Sequence, residues 1–368
     1  MITERCTGCG ACAAVCPKNC IEMRPNKLGR LAPKIHKKQC IDCELCEKTC
    51  PQNLPPKVAY PTDCYVAWSK SEEDLRKSAS GGVGAVFAKR QLEQGGVVYG
   101  CDYSPHGELR HFRLADATDL QRIRGSKYAH SVAWESFAEI KTLLQIGTKV
   151  LFIGTPCQVA ALRKFLKKDY DTLITVDLVC HGTPPNAYLV KHLQERGIQL
   201  PIDRITFRGE YDQMLTVWKN SNIIYQKKWQ EDAYFAAFYD NMISYDSCYT
   251  CQYASKERVS DITIGDFWGL GALKTIAPGN ERPSLVLINT DKGESFFEKA
   301  QMMLTWERRE VDEGISGNGR LKAPPGKSWR ATIFEKIYKT GLLSFDRSVA
   351  AAWRLNELRN RMIKKKDV

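Results

Sequence analysis

The sequence predicts a small α+β module at the N-terminus, a larger α/β domain behind it, and a helical C-terminus. Three observations carry this reading. Cysteines recur as Cys6-x2-Cys9-x2-Cys12-x3-Cys16-Pro17 and again as Cys40-x2-Cys43-x2-Cys46-x3-Cys50-Pro51. From residue 83 to residue 301, short apolar runs bounded by turn residues alternate with helical patterns, as in a largely parallel sheet with crossover helices. Residues 329–366 then carry the periodicity of an amphipathic helix with a basic end.

The doubled cysteine run is the spacing of a bacterial ferredoxin, and it predicts two [4Fe–4S] clusters. A cubane needs four converging thiolates; three come from one tight loop and the fourth from the distant run. Cys6, Cys9, Cys12 and Cys50 therefore pair on one cluster, and Cys40, Cys43, Cys46 and Cys16 on the other. Structural zinc sites use paired CxxC or CxxC…HxxxH spacing, whereas here three cysteines recur at every third residue.

Composition agrees with a globular redox protein. The 368 residues are 43% apolar and 26% charged, and no apolar run approaches the roughly 18 residues that a membrane span requires. Fifteen cysteines without a signal peptide ahead of the first motif argue for metal in a reducing cytoplasm, that of an anaerobe, rather than for disulfides. The net charge of +12 invites a nucleic-acid reading. Each cluster with its four thiolates carries about −2, so three clusters would lower +12 to about +6, and nucleic acid is not expected as a partner.

Further along, a Pro-rich link over residues 53–61 leaves the cysteine module. Ser78-Ala79-Ser80-Gly81-Gly82 then opens a helix through Val83, Val86 and Phe87 that stops at Gly95-Gly96. Such a loop lets backbone N–H groups approach a phosphate at the positive helix end, although glycine pairs also mark plain turns. Residues 97–100 read as the next strand. Residues 122–131 form a second polar loop whose Arg124, Lys127 and Tyr128 suit a phosphate and an aromatic ring, or simply face solvent. A helix over 134–144 leads into a buried strand over 149–153. Gly154-Thr155-Pro156-Cys157 caps the helix that follows, ending near Leu166, and puts Cys157 in its first turn, where the dipole favours a thiolate. The strand over 173–179 ends in Cys180-His181-Gly182. Both cysteines thus fall at C-terminal ends of consecutive strands, where open α/β sheets hold ligands. Strands are expected over 204–207, 215–219 and 285–289, and helices over 232–243 and 293–301.

Cys157, Cys180, Cys248 and Cys251 make four more thiols. Their number suits a third [4Fe–4S] cluster, a four-cysteine zinc site, a free nucleophile with His181 as base, or buried structural thiols. Cys20, Cys64 and Cys101 are read as small buried hydrophobes. A radical-SAM CxxxCxxC motif, HExxH, a Walker loop and a serine-hydrolase elbow are all missing.

With these residues in view, the chain resembles the coenzyme F420 hydrogenase/dehydrogenase beta-subunit family. The resemblance rests on the double cluster motif, SASGGVGAVFAKR at residues 78–90, GSKY at 125–128, GTPCQ at 154–158, DLVCHG at 177–182, and Cys248-x2-Cys251 followed by DITIGDFWG at 261–269. It implies an FAD-binding α/β domain with its own [4Fe–4S] cluster, on Cys157, Cys180, Cys248 and Cys251. It also implies FAD contacts at Ser80, Gly81, Gly82 and Lys127, with Tyr128 and Asp266 near the flavin. The domains expected are residues 1–58 (two-cluster ferredoxin), 64–150 and 151–310 (the two parts of the FAD domain, the second with the third cluster), and 325–368 (basic and helical).

The function expected is that of an iron–sulfur flavoprotein oxidoreductase. Electrons would pass from a redox partner protein or reduced ferredoxin through the clusters and FAD to a two-electron organic acceptor, coenzyme F420 or another small molecule. A non-catalytic electron-transfer subunit bridging two proteins is the alternative; a homo-oligomer fits either.

Overall fold

Doubling of the cysteine motif becomes doubling of a loop and a short helix. In the computed structural model, which describes residues 5–271 and 282–364, Gly10 precedes the helix Ala11–Val15 and Glu44 precedes the helix Leu45–Thr49. Both residues are left-handed, with φ of 71° and 58°. Between the two loops, strands β1 (Ile21–Pro25) and β2 (Leu31–Ile35) pair antiparallel, with Ile21 opposite Ile35. This is a ferredoxin-type domain.

The larger domain follows with β3 (Asp63–Ser69), β4 (Val97–Tyr103), β5 (Leu109–Arg113), β6 (Val150–Gly154) and β7 (Leu173–Leu178). After these come β8 (Arg204–Thr206), β9 (Met214–Lys219) and β10 (Asn222–Lys228), then β11 (Ile262–Asp266), β12 (Ser284–Ile288) and β13 (Leu304–Arg309). Eight of them form one mixed sheet in the order β13-β3-β12-β11-β7-β6-β4-β5, while β8, β9 and β10 make a smaller antiparallel sheet. Strands β4, β6, β7 and β11 are mutually parallel. Their apolar runs are buried on both faces because helices cover both sides: Val150, Leu151 and Phe152 of β6 are fully buried.

The helices follow the sequence pattern with local differences. Val83–Glu93 starts behind Gly82, and Pro156–Leu166 behind Thr155. The helix expected from residue 134 opens as a 3-10 turn, Trp134–Ser136, before Phe137–Gln145. The segment expected over 232–243 is shorter, Ala233–Tyr239, because the Asp232 carboxylate accepts the Phe235 N–H (2.7 Å) and caps it there. The single C-terminal helix expected over 329–366 is two, Trp329–Tyr338 and Phe345–Lys364, separated at Gly341, whose φ of 70° no helix allows. Residues 365–368 lie outside the described residues. Among the described residues, no helix is long and apolar enough to cross a membrane.

An apolar seam and a buried guanidinium are among the contacts that seat the N-terminal domain on the rest. Ala11, Ala14 and Val15 pack with Trp134, Phe137 and Val159 in one apolar cluster, each fully buried large side chain contributing roughly 1.5–3 kcal/mol. Arg30, itself buried, donates to the Ser244 carbonyl (2.8 Å) and pairs with Asp246 and with Glu335 of the C-terminal helix Trp329–Tyr338. That guanidinium joins three parts of the chain.

Candidate functional site

Tight turns bring the first four thiols together. Cys6, Cys9, Cys12 and Cys50 ring one void whose other walls include Ile21, Met23, Pro33 and Ile35. Cys16, Cys40, Cys43 and Cys46 ring another, with Cys20 beside them. Cys46 lines both voids, so the two sets abut. Cys43 is exposed and lies next to Ile41, which is 56% exposed, so the second set stands at the surface. The first is covered: Gly10 lies under the Trp134 indole so closely that a Cβ there would stand 2.1 Å from Cδ2. His130, held neutral by burial with its pKa down at about 4, donates Nε2–H to the Thr7 carbonyl (3.0 Å) and braces the same loop.

A third set forms in the larger domain. Cys157 lies in the first turn of Pro156–Leu166, behind a Thr155–Gln158 capping box, and Cys180 follows β7. Cys248 lies on the short helix Asp246–Tyr249, with Cys251 just beyond. The helix dipole does not dominate at Cys157. Burial, and then the charges of Cys180, Cys251 and Cys248, push its thiol well above the ordinary range. Burial and neighbouring thiolates likewise lift Cys180 to about 12 and Cys248 to about 11. In the first N-terminal set, burial lifts Cys9 to about 11 and raises Cys12, where Cys9, Cys6 and Cys50 add to it. Four buried thiolates that repel one another need a positive core between them, which is what an iron–sulfur cubane supplies. A cubane keeps its thiolates apart, one to each iron, and the two N-terminal sets, each around its own void, suit it. The hydroxyls of Ser244 and Ser247, buried beside Cys248 with no partner among the described residues, are available as donors to such a group.

Two tyrosines connect the first and third sets. Tyr253 lies within electrostatic reach of Cys9 as well as Cys157 and Cys251, and Tyr245 within reach of Cys6 and Cys248. Tyr245 also stacks on His130 and accepts the Leu31 N–H (2.9 Å). Arg258, buried, holds the loop between Cys251 and β11 by bonds to the Tyr253 carbonyl, Thr263 and Asp177.

A cleft of about 420 Å³ lies across the C-terminal ends of β4, β6, β7 and β11, and Cys180 lines it. That is a volume for a bound small molecule. The N-terminus of Val83–Glu93 opens onto it behind Gly82, which at φ 79° takes a conformation that disfavours a side chain. Ser80 lines the cleft and bonds Ser284 Oγ (2.9 Å). Gly81 instead packs against β3, where a Cβ would come within 2.4 Å of the Ala67 carbonyl oxygen. Lys127 lines the cleft, but its ammonium donates to the carbonyls of Arg122 (2.6 Å) and Arg124 (2.8 Å), bracing its own loop. Tyr128 also lines it, with its ring stacked on Phe238 at 4.4 Å. Asp266, at the end of β11, pairs with Arg208 (2.6 Å) on the cleft wall. Cys64 is a buried residue of β3, and Cys101 lines the cleft.

Trp268 also lines the cleft, and sequence reasoning gave no role to it or to Arg208, Tyr245, Tyr253, Arg258 or Trp134. Trp268 stood in the DITIGDFWG motif, and Arg208 directly follows a strand-like stretch, the one signal it offered. The others act through contacts that no local spacing marks.

Two segments of the chain match described protein families. Residues 5–54 match the 4Fe-4S dicluster domain, and residues 147–313 match the family described as the C terminus of the coenzyme F420 hydrogenase/dehydrogenase beta subunit. The chain carries that family's C-terminal domain behind a dicluster ferredoxin domain. An uncharacterized protein of Methanocaldococcus jannaschii is 23% identical over 337 residues, 81% of this chain and 87% of that one. One subunit of the F420H2 dehydrogenase of Methanosarcina mazei is 26% identical over 188 residues, 48% of this chain and 53% of its own. The coenzyme F420-dependent sulfite reductase of M. jannaschii is 26% identical over 51% of this chain, which spans 29% of that enzyme. Among solved structures, a chain of the F420-reducing [NiFe] hydrogenase complex from Methanosarcina barkeri aligns with a TM-score of 0.46 and 18% identity, over 83% of this chain and 95% of that one. The two matched segments follow one another in this chain, the dicluster domain first.

Proposed function

We propose that the chain is an iron–sulfur flavoprotein oxidoreductase that exchanges electrons between a redox partner protein and a two-electron organic acceptor. Three cysteine sets hold [4Fe–4S] clusters: Cys6, Cys9, Cys12 and Cys50; Cys16, Cys40, Cys43 and Cys46; Cys157, Cys180, Cys248 and Cys251. FAD occupies the cleft, its phosphates toward Ser80, Gly82 and the N-terminus of Val83–Glu93. Bound there, the clusters carry electrons singly and the flavin converts between one- and two-electron transfer.

One observation carries this reading: the cysteine sets stand in file and the file ends at the cleft. The second set is at the surface beside Ile41, Cys46 is a wall common to the second and first sets, and Tyr245 and Tyr253 join the first to the third. Cys180 belongs to the third set and also lines the cleft. The protein's own work is to exclude water from the inner sets, to fix their spacing through Trp134, His130 and Arg258, and to orient an acceptor against the wall made by Arg208 and Asp266. Coenzyme F420, named in the relatives, is the first acceptor to try.

Anaerobic purification with iron, sulfide and flavin assays tests the reading. Three clusters give about 12 iron atoms per chain, whereas a core zinc site gives about 8 with one zinc. Freshly purified, folded protein without flavin would sink the oxidoreductase reading. Full cofactor content without turnover of any acceptor by the isolated chain would favour the bridging subunit.

A further inference from the structure

We propose that Cys20 is a hydrogen-bond donor to the second N-terminal cluster, a fifth thiol in its wall that binds no iron and raises the cluster's reduction potential. The proposal rests on reading Cys16, Cys40, Cys43 and Cys46 as one ligand set. Cys20 is 3% exposed, lines the same void as those four, and places its Sγ 3.4 Å from that of Cys16. Cys40 lines the same void. The thiol is held there. The Cys20 carbonyl accepts the His36 N–H (2.8 Å), and the next residue begins β1, paired with β2. That pairing fixes the backbone at Cys20, and burial of the side chain leaves the thiol little room to turn away.

With both thiols protonated, either sulfur can donate. Once Cys16 ligates iron it is a thiolate and has no proton to give, so Cys20 S–H becomes the donor and the bond acquires one direction. Reduction adds negative charge to the cluster and its sulfurs. A donor pointed at a ligating sulfur stabilises that reduced form and raises the potential. The two motifs differ at this position: four residues beyond Cys16 stands Cys20, but four residues beyond Cys50 stands Leu54, which is 50% exposed.

The test is a redox titration of the whole chain, purified anaerobically and followed by electron paramagnetic resonance, with iron counted in every sample. In Cys20→Ala, the midpoint potential of one N-terminal cluster is expected to fall while the other cluster signals stay in place and the iron count is unchanged. Cys20→Ser keeps a hydroxyl donor and is expected to recover most of the shift. Leu54→Ala is expected to move nothing. An unmoved potential in Cys20→Ala overturns the proposal, as does a common shift of all signals. Loss of about four irons from Cys20→Ala overturns it too, since Cys20 would then be a ligand or a structural prop. An unsubstituted chain without a second N-terminal cluster would overturn the underlying ligand assignment, and that is read before any variant is made.

Discussion

Arg258 and Asp177 form an ion pair at 2.9 Å with both side chains almost completely buried, at 1% and 0% exposure. Asp177 sits in β7, two residues before the turn to Cys180, and Arg258 closes the loop that carries Cys248 and Cys251. The guanidinium also bonds the Tyr253 and Ser255 carbonyls and Thr263 Oγ1, and Asp177 accepts the Thr263 hydroxyl (2.6 Å). The pair thus connects the two halves of the core cysteine set. Removing one partner strands a buried charge, which costs about 3–5 kcal/mol. Arg258→Ala is expected to lower unfolding stability by that order and to lose the iron proposed for the core set before the N-terminal iron. Denaturant unfolding with iron counts checks it; full iron at unchanged stability would contradict the assignment.

Gly10 and Trp134 make the second prediction. A Cβ on Gly10 would fall 2.1–2.4 Å from the indole, and the residue is left-handed at φ 71°. Gly10→Ala therefore meets a clash and a backbone cost of order 1–3 kcal/mol. It is expected to deplete the cluster held by Cys6, Cys9, Cys12 and Cys50. Trp134→Gly in the same chain removes the clash and should restore part of the iron, as measured by iron content and visible absorbance.

A third prediction concerns pH. His192 is fully buried, with Nδ1 at 2.6 Å from Asp346 and Nε2 at 2.8 Å from Asp232. Burial opposes its charge, but the bonds to Asp232 and Asp346 outweigh burial and lift its pKa to about 9. Arg196 pairs with Asp346, and the Tyr225 hydroxyl donates to Asp232 (2.8 Å). Because the folded pKa lies above the ordinary 6.5, the stabilisation is complete below pH 6.5 and is lost as pH rises through 9. The loss is of order 3 kcal/mol. Unfolding measured at pH 6 and pH 9.5 should show it in the native chain, and His192→Gln should flatten this part of the profile.

Much of the fold was legible in the sequence because it rests on local rules. The doubled cysteine run named its own module, the apolar runs at β6 and β7 marked buried strands, and Thr155-Pro156 marked a helix start. Strands β3 and β13 were not read, since their status comes from pairing with each other and with β12 across long stretches of chain. The site divides in the same way. Cysteine spacing showed which thiols can act, whereas the seating of Arg258, Trp134 and the two tyrosines depends on contacts between distant segments. Lys127 illustrates the difference. Its place in the loop was readable, but the bonds of its ammonium to the Arg122 and Arg124 carbonyls were not.

The last prediction separates the cleft from the cysteine sets. Gly84 lies in the first turn of Val83–Glu93 and lines the cleft; a Cβ there meets only Ile264 Cδ1, at 3.3 Å. A leucine at this position keeps good helix propensity and projects its side chain into the space assigned to FAD. Gly84→Leu is therefore expected to fold, to keep about 12 irons per chain, and to retain less than a tenth of the flavin, a loss of about 1.4 kcal/mol or more in binding. Flavin released by acid and measured by fluorescence, against iron in the same sample, reads both quantities. Unchanged flavin would place the cofactor away from this helix end. Parallel loss of iron and flavin would mean that Gly84 holds up the whole domain, and Gly84→Ala, with a smaller intrusion, should then restore both together.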